Sequence, residues 1–470
     1  MTVRRTLTLI CLVAALHGLF FIWYQRPDWT TQWSDQEGYR RLGQVLAETG
    51  KFTRFPDEPQ FVPEVLRTPA YPVFVAVMYR MFGATQWPVA FAQTLAFVAM
   101  CLVVFAIGRR VAPEPVALGG AALVAIFPPI PYFGALVMTE VWTTFWFVVS
   151  MWVAVRAFQE RRTKWFACLG VLLALTTLSR PVFVLFPIAL GGIGLAVWPL
   201  LRVRPRPLVS QWLVMLAAFA IAMLPWFTYN YVTLGRFTLS PAGGVGRGLW
   251  EGSWQATWRG RVQDELTDLA DAVDDRAELD RRVRGIADRE RLPAGPMLEY
   301  VHQWEDIRRI WTEPVDPHKR AIARVRADEE YQRVGVANIS RQSFAQLAKR
   351  LARGVFVLWA AEIPFRYSEI NALPEWVIRF CWAVQAALFA AAVVGLAALV
   401  RSGRVAAASL LAAPIVYITA VHFPLLTEAR QSLPAQPIVL LLAAIGVAHL
   451  TGHLLPFETQ VHEGQHLGQP

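Results

Sequence analysis

Charge is scarce in this 470-residue chain: 17% of its residues are Asp, Glu, Lys or Arg and 55% are hydrophobic. A typical soluble domain carries roughly a quarter charged residues. The mean hydropathy of +0.37 and the gathering of apolar residues into long blocks exclude an ordinary soluble enzyme. Cysteine is scarcer still. Cys11, Cys101, Cys168 and Cys381 all lie inside apolar blocks, where a thiol behaves as a small hydrophobe, so neither disulfides nor a cysteine metal cluster is expected. Internal repeats and low-complexity linkers are absent from the sequence. The glycines of Ala242-Gly243-Gly244-Val245-Gly246 follow no strand pattern, which argues against a nucleotide-binding loop. Leu7–Tyr24, preceded by Arg4 and Arg5, has the form of a signal peptide. Trp23-Tyr24-Gln25-Arg26 offers no small-residue cleavage site, so the segment is read as an uncleaved membrane helix.

What is present is a series of apolar stretches near the length of about 20 residues that a spanning helix needs. They are Leu7–Tyr24, Pro88–Ile107, Pro115–Phe133, Val141–Ala157, Trp165–Leu178, Val182–Leu201, Val209–Phe227, Trp376–Val400, Val405–Val421 and Ala435–Thr451. The expected fold class is an all-α polytopic membrane protein of about ten transmembrane helices, with periplasmic-side loops forming a mostly helical cap. Pro72–Phe82 is too short to span and is placed at the interface or as a re-entrant piece. The net charge of +10 resides largely in arginines that flank these blocks, and no nucleic-acid partner is expected. Arg4-Arg5, Arg109-Arg110, Arg161-Arg162-Lys164, Arg202-Arg204-Arg206 and Arg401-Arg404 fall on one side under this helix assignment. The positive-inside rule makes that side cytoplasmic.

The domain organisation that follows is a transmembrane core over 1–227 with an outer catalytic loop at 25–87, an outer helical insertion over 228–374, C-terminal transmembrane helices over 375–452, and a cytoplasmic tail over 453–470. Within the insertion, Asp264–Arg291 alternates acids and arginines as a solvated helix surface does. Asp328–Trp359 reads as a helix whose Phe344, Leu347, Leu351, Val355 and Leu358 form a stripe among Lys349, Arg350 and Arg353, a pattern suited to a membrane–water interface. In the tail, His462 and His466 have metal-ligand spacing but no third ligand. No metal or other cofactor is assigned; a divalent ion is admissible but unsupported.

Charged groups at the ends of apolar helices merit a functional hypothesis because charge at membrane depth is costly. On the outer side these are Asp35 and Glu37, Arg67, Glu140, Arg180, Glu428 and Arg430. An isolated interfacial arginine is ordinarily a snorkelling side chain; several acids and arginines spread over separate outer loops suggest a shared site. Guanidinium groups match phosphate oxygens through paired hydrogen bonds, and a carboxylate suits proton removal from a hydroxyl. Together they fit transfer of a group from a phosphorylated lipid to a hydroxyl acceptor.

The landmarks that carry a family resemblance run in order along the chain. They are Asp35-x-x-x-Tyr39, Gly50-Lys51-Phe52, Arg67-Thr68-Pro69-Ala70-Tyr71-Pro72, Pro128-Pro129, Met138-Thr139-Glu140, Ser179-Arg180-Pro181, Pro225-Trp226, Asn230-Tyr231, Gly235-Arg236-Phe237 and Glu428-Ala429-Arg430 with Leu433-Pro434 and Pro437. In this order they resemble the bacterial branch of the GT-C membrane glycosyltransferases, which includes protein O-mannosyltransferases and lipid A aminoarabinose transferases. The chain departs from that pattern in having Ser34-Asp35 where relatives often have Asp-Glu, and Glu-Ala-Arg-Gln at the last turn where they often have Glu-Arg-Tyr.

The resemblance implies inverting transfer of one sugar from a polyprenyl-phosphate donor to a glycan, lipid or protein hydroxyl. It places the enzyme in the bacterial cytoplasmic (inner) membrane, with the site facing outward. It assigns Asp35 as the base, Arg67, Arg430 and Arg180 to the donor phosphate, and Glu140, Tyr39, Tyr71 and Glu428 to the acceptor/donor cleft. Two other classes were weighed. A transporter or flippase of a lipid-linked substrate predicts midplane charges and repeated halves, and a glycan ligase or polymerase shares the donor phosphate but moves a whole glycan.

Overall fold

The computed structural model describes residues 2–29, 34–197, 199, 205–258, 260–370 and 372–452, and among these it contains helices and no strand. His462 and His466 in the tail expected to be cytoplasmic, Trp33, and Arg202 and Arg204 lie outside the described residues. In chain order the helices of the first part are α1 (Val3–Gln25), α2 (Ser34–Thr49), α3 (Ala70–Phe82), α4 (Gln86–Val111), α5 (Glu114–Ile126), α6 (Pro129–Gly134), α7 (Thr139–Glu160), α8 (Thr163–Ser179), α9 (Phe186–Val197) and α10 (Pro205–Leu234). The second part comprises α11 (Val245–Trp254), α12 (Gly260–Ala272), α13 (Arg276–Glu290), α14 (Ala294–Thr312), α15 (Pro317–Ser340), α16 (Phe344–Ala360) and α17 (Tyr367–Ile370). The chain then returns to long apolar helices, α18 (Glu375–Arg401), α19 (Val405–His422) and α20 (Gln436–Leu450).

Seven helices are long and apolar enough to cross a membrane: α1, α4, α7, α10 from Leu208, α18, α19, and α20 together with the 3-10 turn that leads into it. The other expected spans are occupied by shorter apolar helices, Glu114–Ile126, Thr163–Ser179 and Pro181–Val197. Pro115–Phe133 is not one helix as expected. Proline lacks an N–H and clashes with the preceding turn, so Pro128-Pro129 breaks it into α5 and α6. The Ala125 carbonyl that the missing Pro129 N–H leaves open lies 3.0 Å from His17 Nδ1, and the carbonyls at the end of α6 are met by buried glutamines of α4. Gln93 Nε2 donates to the Gly134 and Leu136 oxygens at 3.0 and 2.7 Å, and Gln86 Nε2 donates to the Ala135 oxygen at 3.1 Å. At membrane depth such groups need internal partners.

The apolar core joins α1, α4, α5, α7, α8, α19 and α20. Glycines bring α18 and α20 into backbone contact: a Cβ on Gly395 or Gly446 would lie 2.0 Å from the Leu442 or Ala391 oxygen. Small residues permit this approach in lipid, where packing rather than water exclusion drives association. Outward-facing Leu12, Leu16, Phe20 and Trp23 of α1 and Trp376 and Phe380 of α18 are exposed, as lipid-facing positions must be.

The polar part between α10 and α18 has its own core, with Trp250, Leu266, Leu279, Val283, Tyr300 and Trp304 among its members. Two helices expected as single pieces are each split in two. Asp275 caps α13 by accepting the Glu278 N–H, which divides the Asp264–Arg291 run. Ser343 and Gln346 form a capping box that starts α16 afresh, so Asp328–Trp359 is not continuous. The α16 stripe is also turned from the simple expectation. Phe344 and Leu351 face outward, whereas Arg350 is buried and donates to the Pro424 oxygen. Burial lowers the Arg350 pKa to about 10.

Candidate functional site

The site begins at the first turn of α2. Buried Gln36 pins this turn: its Nε2 donates to the Trp29 oxygen at 2.6 Å, and its Oε1 accepts from Val137 N at 3.1 Å and Gln86 Nε2 at 3.3 Å. The neighbouring Asp35 is thereby fixed at the mouth of a cleft, its side chain 49% exposed. Gly38, one turn along, lets Arg67 pass beneath; a Cβ there would lie 2.0 Å from Arg67 Nη2. Glu37 turns away and pairs with Arg40 at 3.0 Å.

Arg67 ends the extended segment that follows α2. Its Nη2 lies 3.7 Å from Asp35 Oδ1 and its Nη1 3.8 Å from Glu64 Oε1. Its guanidinium also sits 4.8 Å above the Tyr39 ring, a cation–π arrangement. Glu64 is buried and held by Arg54 Nε at 2.6 Å and by the Leu66 N–H at 2.9 Å. Burial pushes the Tyr39 phenol up to about 12, with the Arg67 cation pulling the other way. Tyr71 lies deeper, fully buried, with its hydroxyl donating to Gln93 Oε1 at 3.2 Å and its ring edge-on to Tyr39.

Three later turns close the cluster. Glu140 opens α7 and Arg180 caps the end of α8, positions where the helix dipole favours an acid and a base respectively. Arg430 stands in the 3-10 turn Ala429–Ala435. Its Nη2 approaches Asp35 Oδ2 at 3.4 Å, its Nη1 Glu140 Oε1 at 3.5 Å, and its Nε donates to Glu428 Oε2 at 2.8 Å. Arg180 Nη1 lies 3.9 Å from the same Glu140 oxygen. Most of these contacts are longer than hydrogen bonds. Arg67 Nε and Nη1, Arg180 Nη1 and Glu140 Oε2 are buried without a hydrogen-bond partner, and such atoms are costly unless something else supplies a partner.

Asp35, Arg67, Glu140, Arg180, Glu428 and Arg430 thus come together from five separate stretches of chain, with Tyr39 at their centre and Tyr71 behind it. The cap clamps the segments that carry Arg67 and Arg430. The Ala242 N–H donates to the Val65 oxygen at 2.8 Å, and His318 Nδ1 lies 2.8 Å from the Phe61 oxygen. Gln255 exchanges hydrogen bonds of 2.6 and 3.0 Å with the Thr427 backbone. Between the cap and the membrane helices lies a cavity of about 420 Å³, bounded by Asp35, Tyr39, Arg67 and Thr68 on one side and by cap residues on the other.

Two acids of the site have no helix-end signature in the sequence. Glu64 sits in an irregular stretch, where no periodicity marks it. Half-buried Glu362 follows α16; desolvation lifts its carboxyl to about 7, the Ile363 N–H and Arg430 opposing the rise and Glu140 and Glu428 adding to it. Among the described residues, no group of three or more His, Cys, Asp or Glu is placed to hold a metal ion.

Residues 66–229 match the model of the dolichyl-phosphate-mannose-protein mannosyltransferase family. No curated protein matches the sequence. The fold is similar to the apo crystal structure of the Archaeoglobus fulgidus oligosaccharyltransferase, at 15% identity and a TM-score of 0.54 over 95% of this chain and 51% of that one. The archaeal oligosaccharyltransferase AglB from the same organism, in complex with an inhibitory peptide and a dolichol-phosphate, aligns at 14% identity over 95% and 50% of the two chains, with a TM-score of 0.54. The present chain therefore spans about half the length of these structures. ArnT from Cupriavidus metallidurans in the apo state aligns more loosely, at 14% identity over 93% of this chain and 77% of that one, with a TM-score of 0.39.

Proposed function

We propose that this chain, which has the GT-C membrane glycosyltransferase fold and a mannosyltransferase-type family region, transfers a single sugar from a polyprenyl-phosphate donor to a hydroxyl acceptor, with inversion. The observation that carries the reading is the half-exposed Asp35 carboxylate, bracketed by Arg67 at 3.7 Å and Arg430 at 3.4 Å at the mouth of the cleft. Asp35 takes the proton from the acceptor hydroxyl. The acceptor oxygen then bonds to the anomeric carbon as the bond from that carbon to the phosphate oxygen breaks on the opposite face, releasing polyprenyl phosphate.

Negative charge grows on the leaving phosphate, and fixed donors aimed at it stabilise the transition state. Arg430, Arg180 and Arg67 supply those donors. The unsatisfied Nη1 of Arg180 and the unsatisfied Nε and Nη1 of Arg67 support this role, because phosphate oxygens would complete their bonding. Glu140 and Glu428 hold Arg430 and Arg180 in place. The arginine-rich connections support an outward-facing site in a bacterial cytoplasmic membrane, where the sugar would arrive already attached to lipid.

The test is transfer by the purified protein from a panel of polyprenyl-phosphate sugars to membrane glycan, lipid and protein acceptors. Asp35→Asn is expected to lower transfer by about 10²–10⁴, the range of a general base. Full activity in that variant removes Asp35 as the base.

A further inference from the structure

The cleft has two walls of different origin, and the reading above uses only the membrane wall. The cap wall presents Arg247 from α11, Trp304 and Trp311 from α14, and Arg324 and Tyr331 from α15. Each arginine lies over an indole: Arg247 over Trp304 at 4.8 Å and Arg324 over Trp311 at 4.3 Å. Their partners differ. Arg247 Nε donates to Glu251 at 2.8 Å. Asp328 beside it is also occupied, accepting the Gly246 and Arg247 N–H groups at 3.2 Å each.

Arg324 has no carboxylate and no hydrogen-bond acceptor among the described residues. It is half-buried, and burial first, then Arg54, Arg320 and Arg67, lower its pKa against the single opposing carboxylate of Glu64. A cation in a locally positive field is completed by an anion. Trp304 is buried, under Arg247 and stacked with Trp250, whereas Trp311 is part-exposed. An indole face suits the apolar C–H face of a sugar ring, and a guanidinium held flat on an indole can bind a phosphate or carboxylate through two parallel bonds.

We propose that the cap wall is the acceptor subsite of the cleft, and that it takes a saccharide bearing an acidic group, phosphate or carboxylate, which Arg324 binds while Trp311 packs on the ring. The opposite wall then meets the acceptor hydroxyl with Asp35. This rests on the reading of the cleft as a glycosyl-transfer site, and it gives the cap a reason to line the cavity.

The test uses the full chain in lipid nanodiscs, a donor on which the wild type turns over, and three hexosamine-based disaccharides: neutral, carrying one phosphate monoester, and carrying one uronic acid. The wild type is expected to favour the charged acceptors by about tenfold or more in kcat/KM, the scale of one charge-assisted hydrogen bond. Arg324→Gln brings that ratio to about one through a rise in KM, and Arg324→Lys restores part of it. An equal loss on all three acceptors places Arg324 on the donor or in the fold, and an unchanged ratio removes it from the site; either overturns the proposal. If no donor turns over in the wild type, the transfer reading has failed, and direct titration with the phosphorylated disaccharide decides the subsite. Weaker binding to Arg324→Gln than to the wild type sustains it; equal binding overturns it.

Discussion

The two ends of the helical bundle both gather arginines and acids, and they pair them differently. At the end where α4 and α7 finish, Glu160 accepts from Trp165 Nε1 at 2.7 Å, Arg156 Nε at 2.9 Å and Arg110 Nη2 at 3.2 Å. Arg110 Nη1 also donates to Gln159 at 2.8 Å. At the other end, Asp35, Glu140, Arg67, Arg180 and Arg430 face one another across 3.4–3.9 Å, and atoms of Arg67, Arg180 and Glu140 have no hydrogen-bond partner. No buried side-chain atom of the first network lacks a hydrogen-bond partner. The second has bonding capacity in reserve. Buried polar groups are normally satisfied, so the incomplete network is the one to read as a site.

This contrast can be broken by substitution. Arg67→Gln at the incomplete end is expected to lower transfer by about 10²–10³, the loss typical of one donor to developing charge. Its unfolding midpoint should move little, because Arg67 makes no close hydrogen bond to either acid. A large fall in stability with transfer intact would reverse the assignment of the two ends. Glu160→Gln at the complete end should do the opposite, lowering the unfolding midpoint while turnover per folded molecule stays within about twofold, as for a structural residue away from the site.

A gentler test uses pH and Glu362. Its folded pKa of about 7 lies above the ordinary 4.5, so the folded state holds the proton more tightly than the unfolded chain does. Its ionisation therefore costs stability progressively as pH rises from 4.5 to 7 and no further above that. Glu362→Gln should flatten that part of the stability–pH curve, measured by thermal unfolding in nanodiscs between pH 5 and pH 8. A curve of the same slope in both proteins would show that Glu362 carries no such strain. The smallest effect is expected in the cap: Ser343→Ala removes the Oγ that accepts the Gln346 N–H at the start of α16, at a cost of about 1 kcal/mol, read as a lower midpoint with no change in transfer.

The helices and most of the site were legible because both rest on local patterns. An apolar block announces itself, and Asp35, Glu140, Arg180 and Arg430 stand out by adjoining such blocks. Proline at 128 and 129 was visible as a landmark, yet its effect depended on His17 of α1 lying at the Ala125 carbonyl and on glutamines of α4 meeting those at the end of α6, which is a tertiary fact. Ser343 and Gln346 carried the spacing of a capping box, masked by an apolar stripe that continues across the break. Glu64 and Glu362 lie in irregular chain with no period, so only packing brings them to the arginines. The direction in which α16 faces was likewise undecided, since burial of Arg350 needed the Pro424 carbonyl opposite it.

Gly38 shows what the site asks of the scaffold around it. Alanine would favour helix here by about 1 kcal/mol in an unconstrained peptide, yet Gly38 is buried and a methyl group on it would occupy the space of the Arg67 guanidinium. Any search for a more stable version of this protein that scores α2 by helix preference alone will select against the Arg67 placement on which the proposed reaction rests. The missing carbon is the opening through which a cation from a distant segment reaches the start of a helix, and helix preference and the geometry of the candidate site pull in opposite directions at that one atom.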